Sequence, residues 1–271
     1  MECKHAHTQK KGFQRNGKQR IRCLDCGKQF ELGEYAEYLK EKRFPKILLF
    51  DVETLPMEVA VWGLYEQRIS PDSVLKEWSL ACWAAKWLCT DEIFGKHVAK
   101  KEAVARLDNS IITDIWKLVD KADIIIAHNA KRFDIRKLNW RFLQNGLKPP
   151  SPYWVVDTLT SSRQNFAASS HKLDYLNKQC GLTRKLETRY KLWLDCINPE
   201  TSGQSLKDMF TYCKGDIQAL EDWYLKIRPW IKSHPPCGAF IETMSEVCPN
   251  CASTDLIYNN RLHNTSRQIY W

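Results

Sequence analysis

The segment Lys46-Ile-Leu-Leu-Phe-Asp-Val-Glu-Thr54 constrains the fold of this chain more than any other. Its apolar residues fall on both faces of an extended strand, as a central strand covered on both sides requires. Side chains alternate along a strand, so Ile47, Leu49, Asp51 and Glu53 share one face. Two carboxylates therefore emerge together at the end of a buried strand. Burying ionised carboxylates is costly unless a cation or hydrogen bonds compensate.

The rest of the middle of the chain alternates between strand and helix patterns. Ala122–Ala127 (ADIIIA) is a short apolar run, read as a second buried strand that ends at His128-Asn129. Segments 59–64 and 79–87 are expected to supply the strands between, with Trp62, Trp78, Trp83 and Trp87 filling the core or its rim. Val155-Val156-Asp157 is a short strand candidate. The spacing of Val104, Leu107, Ile111, Ile112, Ile115 and Val119 predicts one helix over 102–121. Further helices are expected over 133–145, around 172–180 and over 205–227. This order predicts an α/β fold: a mixed sheet covered by helices.

The 205–227 helix can be read closely. Leu206, Met209, Cys213, Ile217, Leu220, Tyr224 and Ile227 repeat at three and four and form its core stripe. Tyr212 and Asp216, four apart, stack beside that stripe, where a phenol and a carboxylate can reach a cleft. With Asp134, which follows the ADIIIA strand, four acids come from three separate elements. Such a set suits a pair of divalent cations, Mg²⁺ or Mn²⁺, which prefer oxygen ligands. Two ions held together can activate a water and stabilise the leaving oxygen of a phosphodiester.

Phe50-Asp-Val-Glu-Thr-Leu-Pro56, His128-Asn-Ala-Lys-Arg-Phe-Asp134 and Tyr212-Cys-Lys-Gly-Asp216 resemble the three exonuclease motifs of the DEDD superfamily, tyrosine branch. The resemblance covers about residues 45–230. It is nearest to ribonuclease-H-like exonucleases related to DNA-polymerase proofreading domains, common among phage and bacterial proteins. It implies a ribonuclease-H-like mixed sheet flanked by helices, and a 3′→5′ exonuclease acting on single-stranded or frayed DNA, or on RNA. Asp51, Glu53, Asp134 and Asp216 would hold the two metal ions, and Tyr212 would orient or help activate the attacking water. Asn129, Thr54 and Leu55 would meet the substrate. His128 precedes the second motif and reads as a strand-end residue. Asp157 is open between a metal contact and a helix cap. Two other readings stand beside this one: a structure-selective nuclease or endonuclease on the same fold, and a catalytically silent nucleic-acid-binding protein. The intact acids and Tyr212 argue against the last.

The ends differ from the middle. Residues 1–30 carry eight Lys/Arg against Glu2 and Asp25, a net of +6 within a chain of +9. A basic module of this kind suggests a polyanionic partner, nucleic acid. Cys23-Leu-Asp-Cys26-Gly reads as a zinc knuckle, with Cys3 and either His7 or His5 completing the ligand set. The stretch Arg15–Cys23 resembles the zinc ribbons that open many transposases. Cys248-Pro-Asn-Cys251 reads as the first knuckle of a second ribbon. Either that ribbon is truncated or degenerate, or Cys237 and His263 complete its site, or it binds no metal. The remaining cysteines, Cys82, Cys89, Cys180, Cys196 and Cys213, are expected to be reduced core thiols. The expected organisation is a basic ribbon (1–32), a linker (33–44), the exonuclease domain (45–235) and a second ribbon-like segment (236–271). No apolar run suits a membrane span and no secretory signal is seen, so a cytoplasmic location is expected.

Overall fold

A computed structural model describes residues 8–13, 19–24, 26–27, 29–31, 44–66, 68–240 and 248. The chain divides into two compact units, Lys46–His234 and a second drawn from both ends, Met1–Pro45 with Pro235–Trp271. Cys3, His5, His7, Cys251 and His263, and nearly all of the expected linker, lie outside the described residues.

In the end unit, β1 (Thr8–Phe13), β2 (Gln19–Cys23) and β3 (Gln29–Glu31) form an antiparallel sheet in chain order. The turn from β2 to β3 is the C-x-x-C-G segment. There the Gly27 N–H donates to Cys23 O at 3.0 Å, with Gly27 at φ +75°, a conformation glycine adopts without penalty. Cys23 is buried and Cys26 exposed.

In the larger unit, five strands make one mixed sheet. They are β4 (Ile47–Leu55), β7 (Ser79–Trp87), β8 (Ile93–His97), β9 (Ile124–Ala127) and β10 (Trp154–Asp157), in the order β10-β9-β4-β7-β8. β4 pairs parallel to β9 and antiparallel to β7, so it is central. Leu48, Phe50 and Val52 on one face and Ile47 and Leu49 on the other are all buried, as a doubly covered strand requires. Flanking helices are α1 (Lys100–Ala105), α2 (Asn109–Asp120), α3 (Asp134–Gln144), α4 (Thr158–Asn165), α5 (Leu173–Cys180), α6 (Lys191–Ile197) and α7 (Ser202–Ile227). The long α7 packs across β4, β7 and β8, and every residue of its expected apolar stripe is buried. The architecture is a five-stranded mixed sheet flanked by helices, compatible with a ribonuclease-H-like fold. No helix among the described residues is long and apolar enough to cross a membrane.

Three expectations need correction. The helix expected over 102–121 is two, broken where Arg106 takes a left-handed conformation (φ 60°). Tertiary bonds outweigh the helical period there. The Arg106 guanidinium reaches Pro56 O and, at 2.6 Å, Glu58. Buried Asp108 accepts the Leu80 N–H and both arms of Arg141. Leu107, placed on the apolar stripe by its spacing, is consequently exposed.

Next, the strand expected over 59–64 shrinks to β5 (Glu58–Val59), which pairs with β6 (Val74–Lys76) outside the main sheet. With no sheet to cover, Trp62 and Leu64 are solvent-exposed, and Trp62 is no core filler. Lastly, Cys89 and Cys180 are exposed rather than core thiols. Cys89 sits in a turn at φ 64°, and Cys180 ends α5 before Gly181 at φ 65°.

Candidate metal centre

Strand alternation delivers Asp51 and Glu53 to one face at the end of β4, and α7 brings Asp216 across from above. Carboxylate oxygens of Asp51, Glu53 and Asp216 all lie within 4.8 Å of one another. The register of α7 on β4 is held beneath them by Cys213, whose thiol lies 3.6 Å from both the backbone oxygen and Oδ2 of Asp51. Asp134, the first residue of α3, is buried beside this trio. Its oxygens are not part of the 4.8 Å group.

The electrostatics follow from removing acids from water next to one another. Burial, then Asp216, pushes Asp51 up to about 7, with Lys185 opposing. Burial, then Asp51 and Asp216, pushes Glu53 up to about 9. Asp134 is raised by burial and by Asp51. Asp216 is raised by burial, against the pull of Lys185. Neither oxygen of buried Asp216 receives a hydrogen bond of good geometry, although Lys185 Nζ stands 2.6 Å from Oδ2. Four crowded carboxylates, Asp134 and Asp216 buried and Asp51 and Glu53 half-buried, are under-compensated by the Lys185 ammonium group. An all-oxygen donor set of this density suits hard divalent cations such as Mg²⁺ or Mn²⁺.

Asp51 and Asp216 open into a cavity of about 350 Å³ lined also by His128, Lys172, Lys185 and Tyr212. Tyr212 packs edge-on against Trp193 at 5.9 Å. Burial and Asp216 raise its phenol above the ordinary tyrosine range, so it is protonated and able to donate. His128 is held by Thr158 Oγ1 at 2.9 Å and by the His171 carbonyl at 3.0 Å, and burial lowers it to about 4. It is a neutral strand-end residue, its Nε2 carrying the hydrogen that the carbonyl accepts.

Asp157 accepts the N–H groups of Leu159 and Thr160, and those of Asn129 and Lys131, all at 3.1 Å. It caps α4 and at the same time ties down the loop that leads to Asp134. Asn129 in that loop is half-buried at φ 75°. Thr54 is half-buried, whereas Leu55 is fully buried in the core and presents no surface to a substrate.

Three neighbours of the acids escaped the reading of the sequence. Lys185 lies in an irregular segment with no period to reveal it. Trp193 of α6 lies beside Glu53 and offsets part of its upward shift. Cys213, counted only as core, touches Asp51. Its place between Tyr212 and Asp216 was the available signal.

No protein-family profile matches the chain, and no curated protein matches it. Among solved structures, the fold is similar to a family B DNA polymerase from the hyperthermophilic archaeon Pyrobaculum calidifontis, with a TM-score of 0.50 and 16% identity. The match covers 68% of this chain and 25% of the polymerase, so the chain spans a small part of that protein's length. The likeness is one of fold.

Proposed function

We propose that the chain is a metal-dependent 3′→5′ exonuclease that hydrolyses phosphodiester bonds of single-stranded or frayed DNA, or of RNA. The observation that carries this reading is the trio of half-buried Asp51 and Glu53 with buried Asp216, oxygens within 4.8 Å of one another, and buried Asp134 alongside. The motifs resemble those of exonucleases related to polymerase proofreading domains, and a solved structure with a similar fold is a DNA polymerase.

Asp51, Glu53, Asp134 and Asp216 would hold two Mg²⁺ or Mn²⁺ ions, which supply a nucleophilic hydroxide and stabilisation of the leaving oxygen. Tyr212, protonated, orients the attacking water by hydrogen bonding rather than removing its proton. Asp157 keeps the second-motif loop, with Asn129 and Asp134, in place against the cleft.

The test is digestion of 5′-labelled single-stranded DNA and RNA with Mg²⁺ or Mn²⁺. The expected result is a ladder shortening from the 3′ end. Asp51→Ala should reduce the rate by about a hundredfold to a thousandfold, on the scale of removing a principal electrostatic group. No cleavage of either polymer by folded, metal-loaded protein would leave a binding role instead.

The end unit fits a zinc ribbon that binds phosphates through its basic residues with little sequence preference. Support comes from the antiparallel β1–β3 sheet and from the Cys23–Gly27 turn, which puts both knuckle cysteines at one corner. Cys3 and His7 or His5 would complete that site. Cys248, half-buried, and Cys251 remain candidates for a second one.

A further inference from the structure

We propose that Lys185 is a built-in counter-ion of Asp216, exchanged for a divalent cation when the carboxylate site is loaded. The inference rests on reading that site as a metal centre.

The backbone around Lys185 is anchored. Asn177 of α5 donates to Thr183 O at 2.7 Å. Arg184 makes two 2.6 Å bonds to Asp174, which also accepts the Lys185 N–H at 3.1 Å. On the far side, Leu186 packs over Gly215, the residue before Asp216. This strap delivers a lysine side chain to the acids, with Nζ 2.6 Å from Asp216 Oδ2 and 5.2 Å from the centre of the Tyr212 ring.

An ammonium ion there does part of a cation's work, neutralising one buried oxygen. It also stands where a cation must come. A divalent ion bound to Oδ2 at about 2.0–2.6 Å would face Nζ as a close like charge, which the low local dielectric makes costly. The side chain has somewhere to go. Lys185 also lines an adjoining cavity of about 770 Å³, whose walls include Glu187, Asp195 and Asp208. Metal binding is then a competition, and the lysine lowers the affinity of the site while stabilising the metal-free protein.

The test is a Mn²⁺ binding isotherm, by calorimetry or by the spin-resonance signal of free Mn²⁺, on full-length protein without substrate. Wild type is compared with Lys185→Met, and with Lys185→Gln in case the first fails to fold. The neutral variants should bind Mn²⁺ about tenfold more tightly, a usual size for coupling between two ligands of one site. They should also melt at lower temperature in EDTA and gain more from Mn²⁺ than wild type does. Equal or weaker Mn²⁺ binding by the neutral variants overturns the exchange and leaves the metal centre standing. Absence of Mn²⁺ binding in wild type and variants alike overturns both.

Discussion

At the scale of the residue, the carboxylates govern how stability responds to pH. Asp51 moves from 3.8 to about 7 and Glu53 from 4.5 to about 9 on folding without metal. Across that window these carboxylates hold protons in the folded chain that the unfolded chain has released, so their contribution falls as pH rises. His128, lowered to about 4, works the other way up to about pH 6.5 but is one group against four raised acids. The carboxylate contribution is fully present below about pH 4 and is lost as pH passes about 7 for Asp51 and about 9 for Glu53. Asp114 and Asp174, lowered by hydrogen bonds from Lys96 and Arg184, act only below this window. Melting temperatures in EDTA should therefore drop between about pH 5 and pH 9, and saturating Mn²⁺ should flatten the profile. A metal-free protein that is equally stable across that range would show that the acids are better compensated than their geometry implies. These acids were legible in the sequence because strand alternation and helical spacing are local rules. Lys185 was not, since an ion pair between a loop and a distant helix leaves no periodic trace. Asp157 was visible as a strand-end acid, but two of its four backbone partners, Asn129 and Lys131, lie in a loop that only the folded sheet brings to it.

At the scale of the element, tryptophans that look alike in the sequence divide into two classes. Trp83 on β7 is buried and donates its indole N–H to Ile111 O at 2.9 Å. Trp62 stands fully exposed between β5 and β6. Trp83→Ala should cost about 3–5 kcal/mol, as core aromatic truncations do, and Trp62→Ala no more than about 0.5 kcal/mol, as for exposed sites. Denaturant unfolding measures both, and a large loss at Trp62 would place that segment against a surface it does not touch here. The same division explains where element boundaries were misread. Periodicity carried the 102–121 helix straight through Arg106, because the buried Asp108–Arg141 pair that halts it involves α3. By contrast, the α7 stripe was read correctly, since one continuous helix facing one sheet obeys its own period throughout.

At the scale of the whole molecule, the carboxylate cluster lies in Lys46–His234, whereas the paired cysteines of C-x-x-C spacing lie in the end unit. If Cys23 and Cys26 hold a structural zinc, metal analysis should find about one zinc per chain at that site, tightly held as such sites are. Cys26→Ser should lower the zinc content while leaving Mn²⁺ binding at the carboxylates unchanged. Unaltered zinc content in that variant would remove the knuckle from the ligand set. What the sequence by itself determined was the central strand, the α/β alternation, and the acids with their tyrosine, because each follows from the short-range geometry of a strand or a helix. Only the tertiary structure decided that Asp51, Glu53 and Asp216 converge while Asp134 stands beside them, that Lys185 enters the site, and that Leu55 is wholly buried. Those outcomes depend on how separate elements pack against one another, and packing is a property of surfaces that meet only in the folded chain.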